Sequence, residues 1–310
     1  MKAIMCQPTE IRFHWELEVL ISNLISLGQK PQDIVLLFLQ GGQDGPEYVE
    51  QFKHKFGVEA HLYQDNRDDR SYIPSIKPYL WSEYLREDST RQQETYLYID
   101  SDVVFKRLPM LDRLISLSNT HWYCSDTLGY TNYSYLSSVK YADEIIPKMC
   151  DLAGITEAQL KEQNDGEGGA QWIMKNPTLD YWEDVYALSN VFWHYFESIR
   201  EKTDLDELPG GIQTWTAQMF AENFSAIKHG ITQEVTEELK FAWTPDMHEV
   251  NKDAILIHDS GAQGESQFFD KSNYTTKEPY SDDFSQIEPD SWSADYVREI
   301  KRAGRKLNKI

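Results

Sequence analysis

The sequence predicts an α/β protein with a mostly parallel central sheet flanked by helices. Three observations carry this. In the first half of the chain, apolar runs of strand length alternate with stretches of helical periodicity, the pattern of βαβ units. The run Ile34-Val35-Leu36-Leu37-Phe38-Leu39 has no polar position, as befits a strand covered on both faces. The 310 residues suffice for one large α/β domain or two ordinary ones.

Ala3 to Cys6 is a short opening strand. From Phe13, apolar residues recur at Leu17, Leu20, Ile21, Leu24 and Ile25, which is helical spacing, and Gly28 and Pro31 stop that helix. After Ile34–Leu39, Gly41-Gly42 break the strand and Pro46 opens a helix reaching about Phe56. Val58 to Tyr63 reads as a third strand, followed by a polar loop. Pro78 sits in the first turn of a helix through Leu85, and Tyr96-Leu97-Tyr98-Ile99 is a fourth strand running into Asp100-Ser101-Asp102. The second half is less regular. It offers a strand at Trp122–Ser125, a flexible polar turn at Gly166–Gln171, helices near Tyr181–Ile199 and Gln213–Phe220, and a strand Ala254–His258. Residues 1–262 are expected to form the main domain and 263–310 a C-terminal extension on or near the active site. The basic stretch Val297–Lys309 suits a small terminal helix.

Acids outnumber bases 51 to 30, a net charge of −21 that opposes general nucleic-acid binding. No apolar run approaches the roughly 20 residues of a membrane span, and the first residues lack a signal-peptide core. Three scattered cysteines, Cys6, Cys124 and Cys150, fit a reduced compartment, so the expected location is cytoplasmic.

Asp100 and Asp102 stand two apart at the end of a buried strand. In an extended chain both carboxylates leave one face, where they repel unless a cation lies between them. A hard divalent ion, Mn²⁺ or Mg²⁺, suits such oxygen ligands and also takes substrate phosphates. The position, beyond the carboxyl end of a strand, is where open α/β sheets bind ligands. His258 also ends an apolar strand and supplies a third ligand, tilting the choice towards Mn²⁺.

The segment Tyr-Leu-Tyr-Ile-Asp-Ser-Asp, after three βα units, resembles the metal motif of GT-A (Rossmann-like) glycosyltransferases. His258-Asp259-Ser260-Gly261 resembles the His-x-x-Gly segment of their glycogenin-like retaining members, and the order of elements is similar to small bacteriophage-encoded glycosyltransferases. The resemblance implies that Asp100, Asp102 and His258 hold Mn²⁺ against the diphosphate of a nucleotide sugar, a UDP-sugar first. It implies that Gln7 and Thr9 face the base, that Asp65 contacts base or ribose, and that Lys77 lies near ribose or diphosphate. Gly169 and Gln171 line the sugar and acceptor site. The lysine expected close behind Gly261 is absent, and Lys271 is the nearest substitute. Thr9 as a helix cap, Asp65 as a turn brace and Lys77 as a solvated charge are the plain structural alternatives.

Loss of the leaving diphosphate develops negative charge that the cation would stabilise. Inversion needs a carboxylate base, with Asp165, Glu167 and Asp246 available; retention needs none, and Gln171 or Gln213 would then lie under the sugar. The histidine segment tilts the reading towards retention. The acceptor is a hydroxyl of a small molecule, glycan or protein, with a modified DNA base kept open. Three rivals remain: a haloacid dehalogenase-type phosphohydrolase using Asp100, a nucleotidyltransferase, and a non-catalytic sugar-nucleotide-binding module. The first normally carries its Asp-x-Asp on the first strand, and the second needs a glycine-rich basic loop where Gln7-Pro8-Thr9-Glu10 stands.

Overall fold

The computed structural model describes residues 1–42, 44–203, 211–261 and 264–310. In chain order the strands are β1 (Lys2–Pro8), β2 (Ile34–Leu39), β3 (Glu59–Tyr63), β4 (Thr95–Tyr98), β5 (Val103–Phe105), β6 (His121–Ser125), β7 (Gly169–Lys175), β8 (Thr232–Val235), β9 (Phe241–Trp243) and β10 (Leu256–His258). The helices are α1 (Ile11–Ser26), α2 (Gly45–Phe56), α3 (Ile76–Glu87), α4 (Leu128–Thr131), α5 (Tyr133–Ser138), α6 (Ala142–Ala153), α7 (Glu157–Glu162), α8 (Leu179–Thr203), α9 (Ala217–Lys228) and α10 (Trp292–Lys306). The fold is α/β, with a mainly parallel central sheet flanked by helices. The boundary expected between residues 262 and 263 lies outside the described residues.

The chain divides into two compact units. The terminal unit comprises Lys2–Gln64, Ile99–Arg113 and Glu237–Ile310; the middle unit comprises Asp65–Tyr98 and Leu114–Thr236, with Met1. Strands run in the order β3-β2-β1 in the terminal unit and β4-β7-β6-β8 in the middle unit.

In the terminal unit, β1, β2 and β3 are parallel, with Ala3 beside Ile34 and Val35 beside Glu59. Every residue of β2 is buried, as its unbroken apolar run requires. The helix α1 buries Leu17, Leu20, Ile21 and Leu24 completely, at about 1.5–3 kcal/mol of favourable transfer for each such side chain. Gly57, at φ 71°, closes α2 in the left-handed conformation that a glycine adopts without steric cost. A smaller sheet runs β5-β10-β9, with β10 antiparallel to β5 and parallel to β9. Trp15, Phe269, Tyr280, Trp292, Tyr296 and Ile300 share one core there.

In the middle unit, β7 is antiparallel to both β4 and β6, while β6 and β8 are parallel. Trp81 of α3 and Trp182 of α8 stack at 4.7 Å, with the edge of Tyr98 against Trp182. The expected flexible turn at Gly166–Gln171 is instead largely buried, and Gly169 already begins β7. A Cβ at Gly168 would stand 2.2 Å from the Ser125 carbonyl oxygen, so close backbone approach, not flexibility, explains the glycines. The helix read near Gln213 begins at Ala217, after a 3₁₀ turn at Thr214–Thr216.

Candidate active site

The terminal unit holds the acidic motif. Ile99 donates its N–H to the Ile4 carbonyl of β1 at 3.2 Å, and the chain then turns at Ser101-Asp102 before β5. The motif is therefore a turn, not the extended strand end that the alternation suggests. The turn sends Ser101 inward. Its Oγ donates to Glu16 Oε2 at 2.5 Å and accepts from Gln7 Nε2 at 3.1 Å. Glu16 Oε1 in turn accepts from Arg12 Nε at 2.8 Å, one turn earlier on α1. These bonds fix the turn from behind.

Strand β10 brings the histidine. It pairs antiparallel with β5, setting His258 opposite Val103, and the Asp259 N–H donates to the Asp102 carbonyl at 2.9 Å. His258 Nε2 lies 3.3 Å from Asp102 Oδ1 and 4.0 Å from Asp100 Oδ2. One ligand atom from each of the three residues lies within 4.8 Å of the others. Ligands of a single Mg²⁺-sized ion at ~2.1 Å stand roughly 3–4 Å apart, which this spacing matches. Asp102 Oδ1 is buried and receives no well-formed hydrogen bond, so a hard acceptor atom faces the cluster with only an imidazole beside it. The donor set fits a divalent cation.

Lys271 completes the cluster. Its ammonium pairs with Asp102 Oδ2 and donates to the Asp259 carbonyl at 2.5 Å. Burial alone would raise the Asp102 pKa, but Lys271 and His258 outweigh it and hold the carboxyl well below its ordinary range. Burial works against the Lys271 charge, yet Asp102, Glu16 and Asp259 raise its pKa overall. Asp259 is pushed up to about 7, chiefly by burial, although Thr244 donates to its Oδ1 at 2.8 Å and Gly261 N–H at 3.0 Å. Glu16 is raised by burial and by the charge of Asp102. Asp102 is thus held ionised by the positive groups beside it, while burial favours the protonated forms of Asp259 and Glu16.

The structure brings Asp100, Asp102, His258 and Lys271 together, with Gln7 behind them. Thr9 does not cap α1; its Oγ1 accepts from Gly41 N–H at 2.8 Å, tying the end of β1 to the end of β2. Asp246 Oδ2 accepts from Trp243 N–H at 3.2 Å, and burial raises its pKa. Asp65, Lys77, Gly169 and Gln171 belong to the middle unit. Asp65 is gripped by Arg67 through Nε at 2.9 Å and Nη2 at 3.0 Å, which lowers its pKa. Lys77 is half-buried in the first turn of α3. Gly169 opens β7, and Gln171, fully buried, donates its N–H to Ser125 Oγ at 3.2 Å. Asp165 is exposed, whereas Glu167 is buried and pushed up to about 8 by that burial.

Sequence reasoning passed over Arg12, Glu16, Asp259 and Trp243. The first two were signalled by an i, i+4 charge pair directly after β1. Trp243 had no signal, because β9 is only three residues long. It stands opposite His258 in the parallel register, with ring centroids 5.0 Å apart, while Phe241 flanks the same imidazole at 6.0 Å.

No protein-family model and no curated protein sequence matches this chain. Solved structures do. Its structural neighbours are glycosyltransferases. The bifunctional glycosyltransferase WbbM, in its apo form, aligns with TM-score 0.48 and 13% identity over 99% of this chain and 50% of its own, so this chain spans half of WbbM. The galactosyltransferase LgtC, solved with donor and acceptor sugar analogs, aligns with TM-score 0.45 and 12% identity over 98% and 95% of the two chains. A glycosyltransferase involved in glycosylation of the major capsid of PBCV-1 follows at 0.38 and 11%, over 86% and 97%. At this level the likeness says nothing of substrate.

Proposed function

We propose that the protein is a metal-dependent, GT-A-like glycosyltransferase that moves a sugar from a nucleoside diphosphate sugar, a UDP-sugar first, to a hydroxyl acceptor. The observation that carries this reading is the convergence of Asp100, Asp102 and His258, ion-paired through Asp102 to the half-buried Lys271. Asp100, Asp102 and His258 would hold Mn²⁺ or Mg²⁺, which supplies charge stabilisation to the departing diphosphate. Lys271 and Arg12 add fixed positive charge to that side of the site. Ser101, Glu16 and Gln7 keep the turn rigid, so the ligands need little rearrangement before the reaction.

Retention of configuration is the favoured outcome, with the departing phosphate taking the acceptor proton and Gln171 beneath the sugar. Under inversion, Asp246 is the base, and burial makes its carboxylate more basic than an exposed one. Gln7, Thr9, Asp65, Lys77 and Gly169 are assigned to the donor. The segment from residue 263 acts as a C-terminal extension that contributes Lys271. A small molecule, glycan or protein hydroxyl is the preferred acceptor over a DNA base. The cations of the C-terminal helix are largely engaged within their own unit: Lys301 with the carbonyls of Tyr280 and Asp282, Lys306 with that of Ser22, and Lys309 with Glu18 and Glu278. A phosphohydrolase would use a carboxylate where His258 stands.

The test is calorimetric and thermal-shift titration with nucleotide sugars, with and without Mn²⁺. A ligand at a hundred times its Kd should stabilise the fold by about 2.7 kcal/mol, and only with metal. Metal-dependent binding that survives Asp102→Ala, or hydrolysis of phosphomonoesters with a trapped phosphoenzyme, overturns the proposal. Binding without turnover on any acceptor favours a binding module.

A further inference from the structure

The terminal unit contains a cavity of about 330 Å³ formed entirely by the segment after Gly261. Its apolar wall includes Phe268, Tyr274 and Phe284; its polar residues include Glu265, Asp270, Asn273 and Gln286. The size falls at the small end of ligand pockets, which run about 300–1,000 Å³. The wall is braced from behind, since Phe269 stacks on Tyr274 at 5.4 Å and meets the edge of Phe284 at 5.8 Å.

The lining chemistry is selective. Among the described residues no Lys or Arg lines the cavity. Lys277 and Lys301 stand over the Tyr274 and Phe284 rings at 5.0 and 4.9 Å, but their ammonium groups are engaged by Asp282 and by the Tyr280 and Asp282 carbonyls. Glu265 and Asp270 belong to the wall itself and disfavour an anion. A purely apolar ligand would strip water from a carboxylate and two amides without replacing their hydrogen bonds. A neutral ring bearing hydroxyls on its edge and C–H groups on its faces satisfies both surfaces: amides and carboxylate take the hydroxyls, aromatic rings take the faces.

The cavity is coupled to the metal centre by one turn of chain. Asp270 Oδ1 accepts from Ser272 N–H at 2.9 Å and starts the 3₁₀ turn Lys271–Tyr274. The first residue of that turn reaches Asp102, while Asn273 and Tyr274 line the cavity. We propose that this cavity is a subsite for a neutral carbohydrate ring, the part of the acceptor beyond its reacting hydroxyl. The acceptor role rests on the glycosyltransferase reading; the sugar binding does not.

The experiment is saturation-transfer NMR on the full chain with glucose, galactose, lactose and maltose, with inorganic phosphate and choline as charged controls. At least one neutral sugar should bind saturably, in the millimolar range. The double variant Asn273→Ala/Gln286→Ala, altered only on the exposed rim, should weaken it about tenfold or more while Tm and Mn²⁺ affinity stay unchanged. Asp102→Asn should leave sugar binding intact while abolishing metal-dependent nucleotide-sugar binding. Absence of any bound neutral sugar, undiminished binding in the rim variant, or displacement of the sugar by phosphate or choline overturns the subsite. If sugars bind but no nucleotide sugar does, the subsite stands and the glycosyltransferase reading falls.

Discussion

Lys271, half-buried, pairs with the buried carboxylate of Asp102 across 169 residues of sequence. Removing one partner of such a pair leaves an uncompensated charge in a poorly solvated place. Lys271→Met should therefore destabilise the metal-free protein by about 3–5 kcal/mol, read from urea unfolding. Saturating Mn²⁺ should restore part of that loss, because the metal ion supplies the missing positive charge. An unchanged urea midpoint for Lys271→Met would show that the pair is not formed in solution.

Asp100→Asn and Asp102→Asn remove the charge of a proposed metal ligand without removing volume. Each should abolish detectable Mn²⁺ binding by electron paramagnetic resonance. Each should also lower turnover by on the order of 10³-fold, since leaving-group stabilisation fails along with metal binding. Wild-type affinity in either variant would exclude that residue as a ligand.

Trp243 lies beside the His258 ring, with centroids 5.0 Å apart, and this packing should hold the ring's orientation. Trp243→Ala should weaken Mn²⁺ binding by about 10-fold, the lower range for loss of an outer contact to a metal ligand, with Trp243→Phe keeping most of the affinity. The wild-type indole should also lose fluorescence as paramagnetic Mn²⁺ binds, a signal absent in both variants.

Glu167 gives a pH dependence of known sign. Its folded pKa, about 8, lies above the ordinary 4.5 because the carboxyl is buried. Between those values the native state keeps a proton that the unfolded state has released. Stability from this group is thus fully present below the lower value and is lost as pH rises through the upper one. The loss is at most about 1.4 kcal/mol per pH unit. Glu167→Gln should flatten that slope in urea midpoints measured from pH 5 to pH 9.

The glycines before β7 make a packing prediction. A Cβ at Gly166 would stand 1.9 Å from the Gln233 carbonyl oxygen, and one at Gly168 only 2.5 Å from Cys124 Sγ. Neither neighbour is the loose end of a flexible side chain. Gly166→Ala and Gly168→Ala should each cost about 1–3 kcal/mol in thermal unfolding, the usual range for overpacking.

Those same glycines show where reading the sequence stopped short. The strand Ile34–Leu39 was legible to the residue, because an unbroken apolar run between turn residues admits few alternatives. The strand leading to Asp100, and His258 at the end of another, were legible for the same reason. Strands β5 and β9 have three residues each, too few for any periodicity, and β8 is mostly polar. The glycine-rich stretch at 166–169 looked flexible because composition does not distinguish a free turn from backbone pressed against backbone. Gln7 and Thr9 were found as residues at a strand end, but their partners, Ser101 and Gly41, are set by tertiary contacts that local pattern does not encode.

The antiparallel ladder of β5 and β10 joins opposite halves of the chain. During synthesis Glu16, Asp100 and Asp102 leave the ribosome long before His258 and Lys271. The nascent protein therefore carries Asp100 and Asp102 without His258 and Lys271 until the last strand of the small sheet arrives, whereas Glu16 already has Arg12 on its own helix. Domains tend to consolidate from the N-terminus during translation, and pairings between distant segments are the slowest to form. If Asp100, Asp102 and His258 do hold an ion, that site would close only once translation has passed His258, making metal loading a late step of maturation.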